Sequence, residues 1–258
     1  MTTRRERRAQ ARLERPAGPR KRPARRQPRP TWQSPVVLVT GAAILIGLAV
    51  IAFARPSAPN TGGELTVPPT TYAADLTEGG KVGSATAPVV MLLYSDFQCP
   101  ACKVFVTQLL PSLITDYVRP GTLRIEARDL DFLGRTQPSE SLELAAGAAC
   151  AAEQDRYWQF HDYVFWNQGR ENQGDHDAAF IARIADAAGV DRTAWDACIA
   201  RDDIRPSIDA QTSAAVAAGI GSTPTLVLNG QSIVGVPKYD DLVRLIQQLA
   251  GSPGPSAS

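Results

Sequence analysis

Residues 88–95, PVVMLLYS, are the part of this chain that most restricts its fold: a short, continuous apolar run of the kind a strand buried on both faces requires. After Asp96-Phe97-Gln98 the chain reads CPACKVF. From 100 to 117 its residues Val104, Phe105, Leu109, Leu110 and Leu113 share one helical face. Cys99 and Cys102 therefore stand where a buried strand gives way to a helix. There the first thiol faces a helix N-terminus, whose unpaired N–H groups and dipole favour a thiolate. Pro100 suits the first helical turn, where its missing N–H costs nothing, and Ala101 completes the dipeptide between the cysteines. A thiolate so placed is a better nucleophile at neutral pH and a better leaving group, the two properties disulfide exchange needs.

Two other chemistries compete for a CxxC pair. Zinc needs a second close pair or Cys/His partners at short spacing, and Cys150, Cys198, His161 and His176 form none, so no metal is expected. A structural staple is weak because a bridge across two residues closes too small a loop to constrain the unfolded chain much. Exchange is the favoured chemistry.

The rest of the chain divides by charge. Residues 1–30 carry twelve Lys/Arg and two Glu, whereas residues 55–258 carry fifteen basic and twenty-four acidic side chains. Between them residues 36–54, VVLVTGAAILIGLAVIAFA, are uncharged and, at ~1.5 Å per residue, roughly 28 Å long as a helix, the thickness of a bilayer core. This segment is expected to be a transmembrane anchor. A signal peptide cleaved after Ala54 is the competing reading, since Ala52-Phe53-Ala54 fits a small-x-small site. Both readings leave the basic Pro/Arg-rich tail, residues 1–35, in the cytoplasm and export the remainder. The tail is expected to lie against anionic lipid, and no nucleic-acid partner is expected.

Residues 55–72 read as an extended Pro/Gly-containing linker, 73–251 as the folded domain and 252–258 as a polar tail. Within the domain LRIEARDL (123–130) is a second strand. A helical block rich in Ala, Leu and Glu follows, in which DHDAAFIARIADAAGV and DRTAWDACIARD each open on an Asp suited to an N-cap. TPTLVLNGQSIVG then holds two strand-like runs around Asn229-Gly230, a hairpin signal, and a last helix covers about 239–249. The layout is α/β with an all-helical insertion at about 136–205.

Pro224, in Ser222-Thr223-Pro224-Thr225, follows Cys99 by 125 residues. Alone, such a tripeptide is an ordinary turn before a strand. Together FQCPAC, the helical block and GSTPTLVLNG resemble the thioredoxin-fold proteins of the DsbA-like family, of the membrane-anchored actinobacterial type, over about residues 75–250. The resemblance implies a thioredoxin fold with a helical insertion, preceded by one transmembrane helix. It also implies an extracytoplasmic thiol–disulfide oxidoreductase that passes its Cys99–Cys102 disulfide to reduced exported proteins. Cys99 would be the nucleophile and Cys102 the resolving thiol. Pro224 would be cis and packed beside them, with the Thr223 backbone pairing with an extended substrate. Cys150 and Cys198 would be bridged as a structural disulfide. The redox group would be the protein's own disulfide, with no separate cofactor. Reoxidation would fall to a membrane partner resembling vitamin K epoxide reductase, and the protein would act as a monomer. A reductase or isomerase of the same fold, or a redox-silent peptide-binding module, remain as alternatives.

Two departures from the family pattern matter. Strongly oxidising relatives carry His beside the second cysteine, where this chain has Ala101. The buried acid often found six residues before the first cysteine is Leu93 here, leaving Asp96 and Glu126 as substitutes. The aromatic run at 156–166, with His161, is expected to pack the insertion, and Phe97 and Phe132 to line a groove or the core.

Overall fold

The computed structural model describes residues 63–134 and 138–251. The basic tail, the apolar segment 36–54, the cleavage pattern at Ala54, residues 55–62 and the polar tail lie outside the described residues. No helix among the described residues is long and apolar enough to cross a membrane. Six strands make one sheet: β1 (Thr77–Glu78), β2 (Lys81–Val82), β3 (Val89–Ser95), β4 (Leu123–Asp129), β5 (Thr225–Leu228) and β6 (Gln231–Val234), in the spatial order β1-β2-β4-β3-β5-β6. β3 is central, parallel to β4 and antiparallel to β5. Its register sets Met91 between Ile125 and Leu228, and Leu93 between Ala127 and Leu226. Val89, Met91 and Leu93 are wholly buried on one face, while Val90, Leu92 and Tyr94 on the other are half-buried. The run is apolar throughout because neither face meets open solvent.

Among the described residues eight α-helical segments accompany the sheet: α1 (Pro100–Val104), α2 (Leu110–Leu113), α3 (Glu140–Ala152), α4 (Tyr157–Trp166), α5 (Ala178–Ala188), α6 (Arg192–Ile199), α7 (Ile204–Ala217) and α8 (Tyr239–Ala250). α1 and α2 belong to one helical run to Val118, interrupted by wider π-type turns at Phe105–Leu109 and Ile114–Val118. Pro111 sits in this run and has no N–H to donate, the usual cause of a widened turn. The two-residue hairpin loop Asn229-Gly230 has φ of 44° and 89°, the positive pair that a tight twisted hairpin demands. Asn229 also bonds back to the sheet, its Oδ1 accepting from Val90 N at 2.9 Å and its Nδ2 donating to Pro88 O at 3.0 Å.

Helices α3 to α6 pack as a bundle between β4 and β5. Gly147 lets them close: a Cβ there would stand 2.8 Å from Phe160 Cζ and 3.2 Å from Trp195 Cζ2. Instead Trp195 Nε1 donates to the Gly147 carbonyl at 2.9 Å. Cys150 of α3 and Cys198 of α6 are bonded, with an S–S distance of 2.06 Å. Asp191 caps α6 and accepts from Ala194 N, but α5 is capped by Asp177, not Asp175, whose carboxylate is engaged by Arg170. α7, which straddles the insertion boundary expected near 205, covers the other sheet face, where Leu130, Ala215 and Ile220 pack with Tyr94, Phe132 and Val227. Residues 63–72, expected as linker, lie against the domain. The Asn167 side chain accepts from Thr66 N at 2.7 Å and donates to Thr66 O at 2.9 Å, and Tyr72 donates to Asp162 at 2.7 Å.

Candidate active site

Cys99 is the N-cap of α1, with an extended backbone (φ −71°, ψ 118°), and Pro100 is the first helical residue. Its carbonyl accepts the first helical bond, from Lys103 N at 3.1 Å, while its amide donates to Asp96 O at 3.0 Å. This places the Cys99 sulfur over the opening turn. Both Cys99 and Cys102 are free thiols and both are buried, 7% and 1% exposed, so Cys99 is the more accessible of the two and Cys102 is almost wholly enclosed. The Cys99 pKa is lowered to about 6, chiefly because the Cys102 thiol donates to it. The Thr223 side chain and the Cys102 and Ala101 backbone N–H groups add to this, against the opposing effect of burial. Burial, and the bond it gives to Cys99, push Cys102 well above the ordinary thiol value. The motif thus holds one thiolate and one protonated thiol at neutral pH, with no His between them.

The Thr223–Pro224 peptide bond is cis, and the Cys99 sulfur lies 3.3 Å from the Thr223 carbonyl, to which it donates when protonated. Residues 124 apart in sequence are brought together because β5, which follows this turn, pairs directly with β3, which precedes the cysteines. Beside them opens a groove of about 640 Å³ lined by Cys99, Phe132, Leu133, Val216, Ile220 and Thr223 among others. Phe132 lines it, but Phe97 is buried in the core against Phe165 and His161.

Asp96 is wholly buried and accepts four bonds: Gln98 N at 2.8 Å and Ser141 Oγ at 2.7 Å on one oxygen, Phe132 N and Leu133 N at 2.9 Å on the other. Burial pushes its pKa up to about 6 despite these donors. It ties the nucleophile's turn to the groove wall. Glu126 is not at the site: β4 turns it to the opposite sheet face from Ile125, where it pairs with Arg124 at 3.3 Å and Arg128 at 2.9 Å. The sequence reading missed a further acid, Asp129. Leu123, Ile125, Ala127 and Asp129 alternate on the core side, and Asp129 stands opposite Ser95 on β3. Tyr157 donates to both its oxygens at 2.8 and 3.0 Å, and burial pushes its pKa up to about 6. The strand alternation was the signal that could have found it. His161 is fully buried within the insertion, its Nδ1 2.9 Å from Asp162, and its Nε2 has no hydrogen-bond partner among the described residues.

A family model described as thioredoxin matches residues 77–248. Disulfide bond formation protein D of Bacillus subtilis is 23% identical over 176 residues, covering 65% of this chain and 75% of that protein. Among solved structures, oxidised BdbD from Bacillus subtilis superposes with a TM-score of 0.61 at 18% identity, over 74% of this chain and all of that one. Reduced DsbA from Mycobacterium tuberculosis does so with a TM-score of 0.57 at 25% identity, over 68% of this chain and 93% of that one.

Proposed function

Since this chain belongs to the thioredoxin family, we propose that it is a thiol–disulfide oxidoreductase that introduces disulfides into exported proteins through Cys99 and Cys102. The observation that carries this reading is the Cys99 sulfur, set at a helix N-terminus and 3.3 Å from the Thr223 carbonyl, with Cys102 buried behind it. In the oxidised protein a substrate thiolate attacks the Cys99 sulfur, forming a mixed disulfide, and Cys102 leaves with the bonding pair and takes up a proton. A second substrate thiolate then attacks the substrate sulfur of that mixed bond and expels Cys99 as a thiolate. Two substrate thiols become one disulfide, and the protein is left as the dithiol with two added electrons. Stabilising the Cys99 thiolate favours this last departure and hence the oxidising direction. The groove and the Thr223 backbone would hold the substrate as an extended strand.

On this reading residues 36–54 anchor the chain, with the basic tail cytoplasmic and the domain extracytoplasmic. The charge asymmetry and the Cys150–Cys198 bond, which an oxidising compartment preserves, support that placement. A quinone-linked membrane protein of the vitamin K epoxide reductase type would restore the disulfide of the monomeric enzyme.

The reduction potential of Cys99–Cys102, measured on the purified chain equilibrated in glutathione buffers, tests the direction. A value between about −120 and −180 mV, the range of oxidants and isomerases of this fold, is expected. A value near about −270 mV, that of a reducing thioredoxin, would reverse the electron flow proposed.

A further inference from the structure

Phe97, Gln98 and Cys99 form the turn that presents the nucleophile, and each of the three bonds to the same short segment of the helical insertion. Gln168 Nε2 donates to Phe97 O at 2.7 Å and to Cys99 O at 3.2 Å. Asn172 N donates to Gln98 Oε1 at 2.7 Å. In return Lys103, on the first turn of α1, donates from Nζ to Gln168 O at 3.2 Å. Asn172 Nδ2 reaches further and donates to Leu133 O at 2.7 Å, on the groove wall.

The segment is itself braced from behind. Arg170 is paired with Asp175, Glu140 accepts from Gly174 N at 2.8 Å, and the His176 ring bonds Glu140 on one nitrogen and Gly169 N on the other. The sequence carries Asn-Gln-Gly twice here, at 167–169 and 172–174, which by composition is only a polar turn. A free loop would not spend a glutamine and an asparagine on backbone and side-chain partners some 40 to 75 positions away.

We propose that residues 168–172 are a clasp through which the helical insertion positions Cys99, with Gln168 as the positioning residue. Its carboxamide holds the Cys99 carbonyl, which also accepts the first helical bond from Lys103 N at 3.1 Å. Fixing that carbonyl fixes the N-cap geometry and so keeps the sulfur over the N–H groups of Ala101 and Cys102. Its two donated bonds also offset the negative ends of two carbonyl dipoles beside the sulfur. The inference deepens the oxidoreductase reading and rests on it.

The test is the pH profile of Cys99 alkylation by iodoacetamide on the full-length protein with Cys99 and Cys102 reduced, because Cys99 is the more accessible of the two thiols, Cys102 is almost wholly buried and held protonated, and the remaining cysteines are bonded to each other. Gln168→Met removes the donor at constant size. Gln168→Glu, also isosteric, guards against a packing failure, and the melting temperature of each variant is read alongside. Both variants are expected to lower the alkylation rate at pH 6 roughly three- to tenfold, the size of one hydrogen bond's net contribution, with the midpoint moving to higher pH. Arg201→Ala, which cuts exposed ion pairs with Glu153 and Asp203 outside the clasp, is expected to leave the profile in place. An unmoved profile in both Gln168 variants, or an equal shift in Arg201→Ala, overturns the clasp. Substrate oxidation with an unmoved profile would overturn the clasp alone. A profile that moves in a protein unable to oxidise a reduced peptide would uphold the clasp and sink the oxidase reading.

Discussion

Asp129 shows how one side chain ties the site to pH. It is buried with Tyr157 as its donor, and burial lifts its pKa to about 6, against the nearby His161 and the Tyr157 bond, which lower it. A carboxyl raised above its unfolded value of about 3.9 contributes stability that is full below about pH 4 and lost as pH rises through about 6. Asp129→Asn keeps the shape and an acceptor for Tyr157 while removing the charge. It is therefore expected to gain roughly 1–3 kcal/mol relative to wild type between pH 4 and pH 8, as read by urea unfolding of the reduced protein. A difference that is flat with pH would mean that Asp129 is not the group that titrates. The nucleophile pair makes its own prediction. Cys102→Ser should accumulate a mixed disulfide with a single-cysteine peptide once Cys99 is activated with a small disulfide, because neither Cys102 nor a second substrate thiol is present to resolve it, whereas Cys99→Ser should trap none. Mass spectrometry of the adducts decides this.

Among the helices, the Cys150–Cys198 bond joins α3 to α6 across 48 residues. On the chain-entropy account its removal in a Cys150→Ser/Cys198→Ser variant costs roughly 4 kcal/mol. Thermal or denaturant unfolding should show that loss while the Cys99–Cys102 potential stays where it was. A potential that moved with it would mean that the bundle tunes the dithiol through this bond. At this scale the sequence is legible where the signal is local. The apolar β3 run, Pro100 after Cys99, and Asn229-Gly230 each dictate their structure through near neighbours, and each stands where its residues require. It is less legible where the partner is remote. Asp175 has the chemistry of a cap, but Arg170 claims its carboxylate and the cap passes to Asp177. Glu126 and Asp129 are three apart on one strand, so alternation puts them on opposite faces, but only the pairing of β4 with β3 shows which face meets the core beside the cysteines. Gln168 and Asn172 look like solvated loop residues until the fold brings Phe97, Gln98 and Leu133 to them. α7 went unread because only Ile204, Ile208 and Ala215 of it are buried and Pro206, harmless in its first turn, reads as a breaker in the sequence.

For the molecule as a whole, the lowered Cys99 pKa couples redox state to stability. A thiol depressed from its unfolded value of about 8.5 contributes stability that is full above that value and lost as pH falls through about 6, and only the reduced form carries it. The melting temperature of the reduced protein minus that of the oxidised protein should therefore rise by about 4–8 °C between pH 5.5 and pH 8. Differential scanning calorimetry of both forms measures it, and a gap independent of pH would separate thiolate formation from folding. The strap at residues 63–72 carries a different kind of consequence. By composition the domain could be cut at 73, but a fragment trimmed there would leave Asp162 without its phenol donor. It would strip a ring from beside Trp158, and would leave the Asn167 amide, one residue from Gln168, without the Thr66 backbone it clasps. The natural edge of this domain is thus drawn by where its leading segment rests, some ten residues ahead of where its hydrophobic pattern begins.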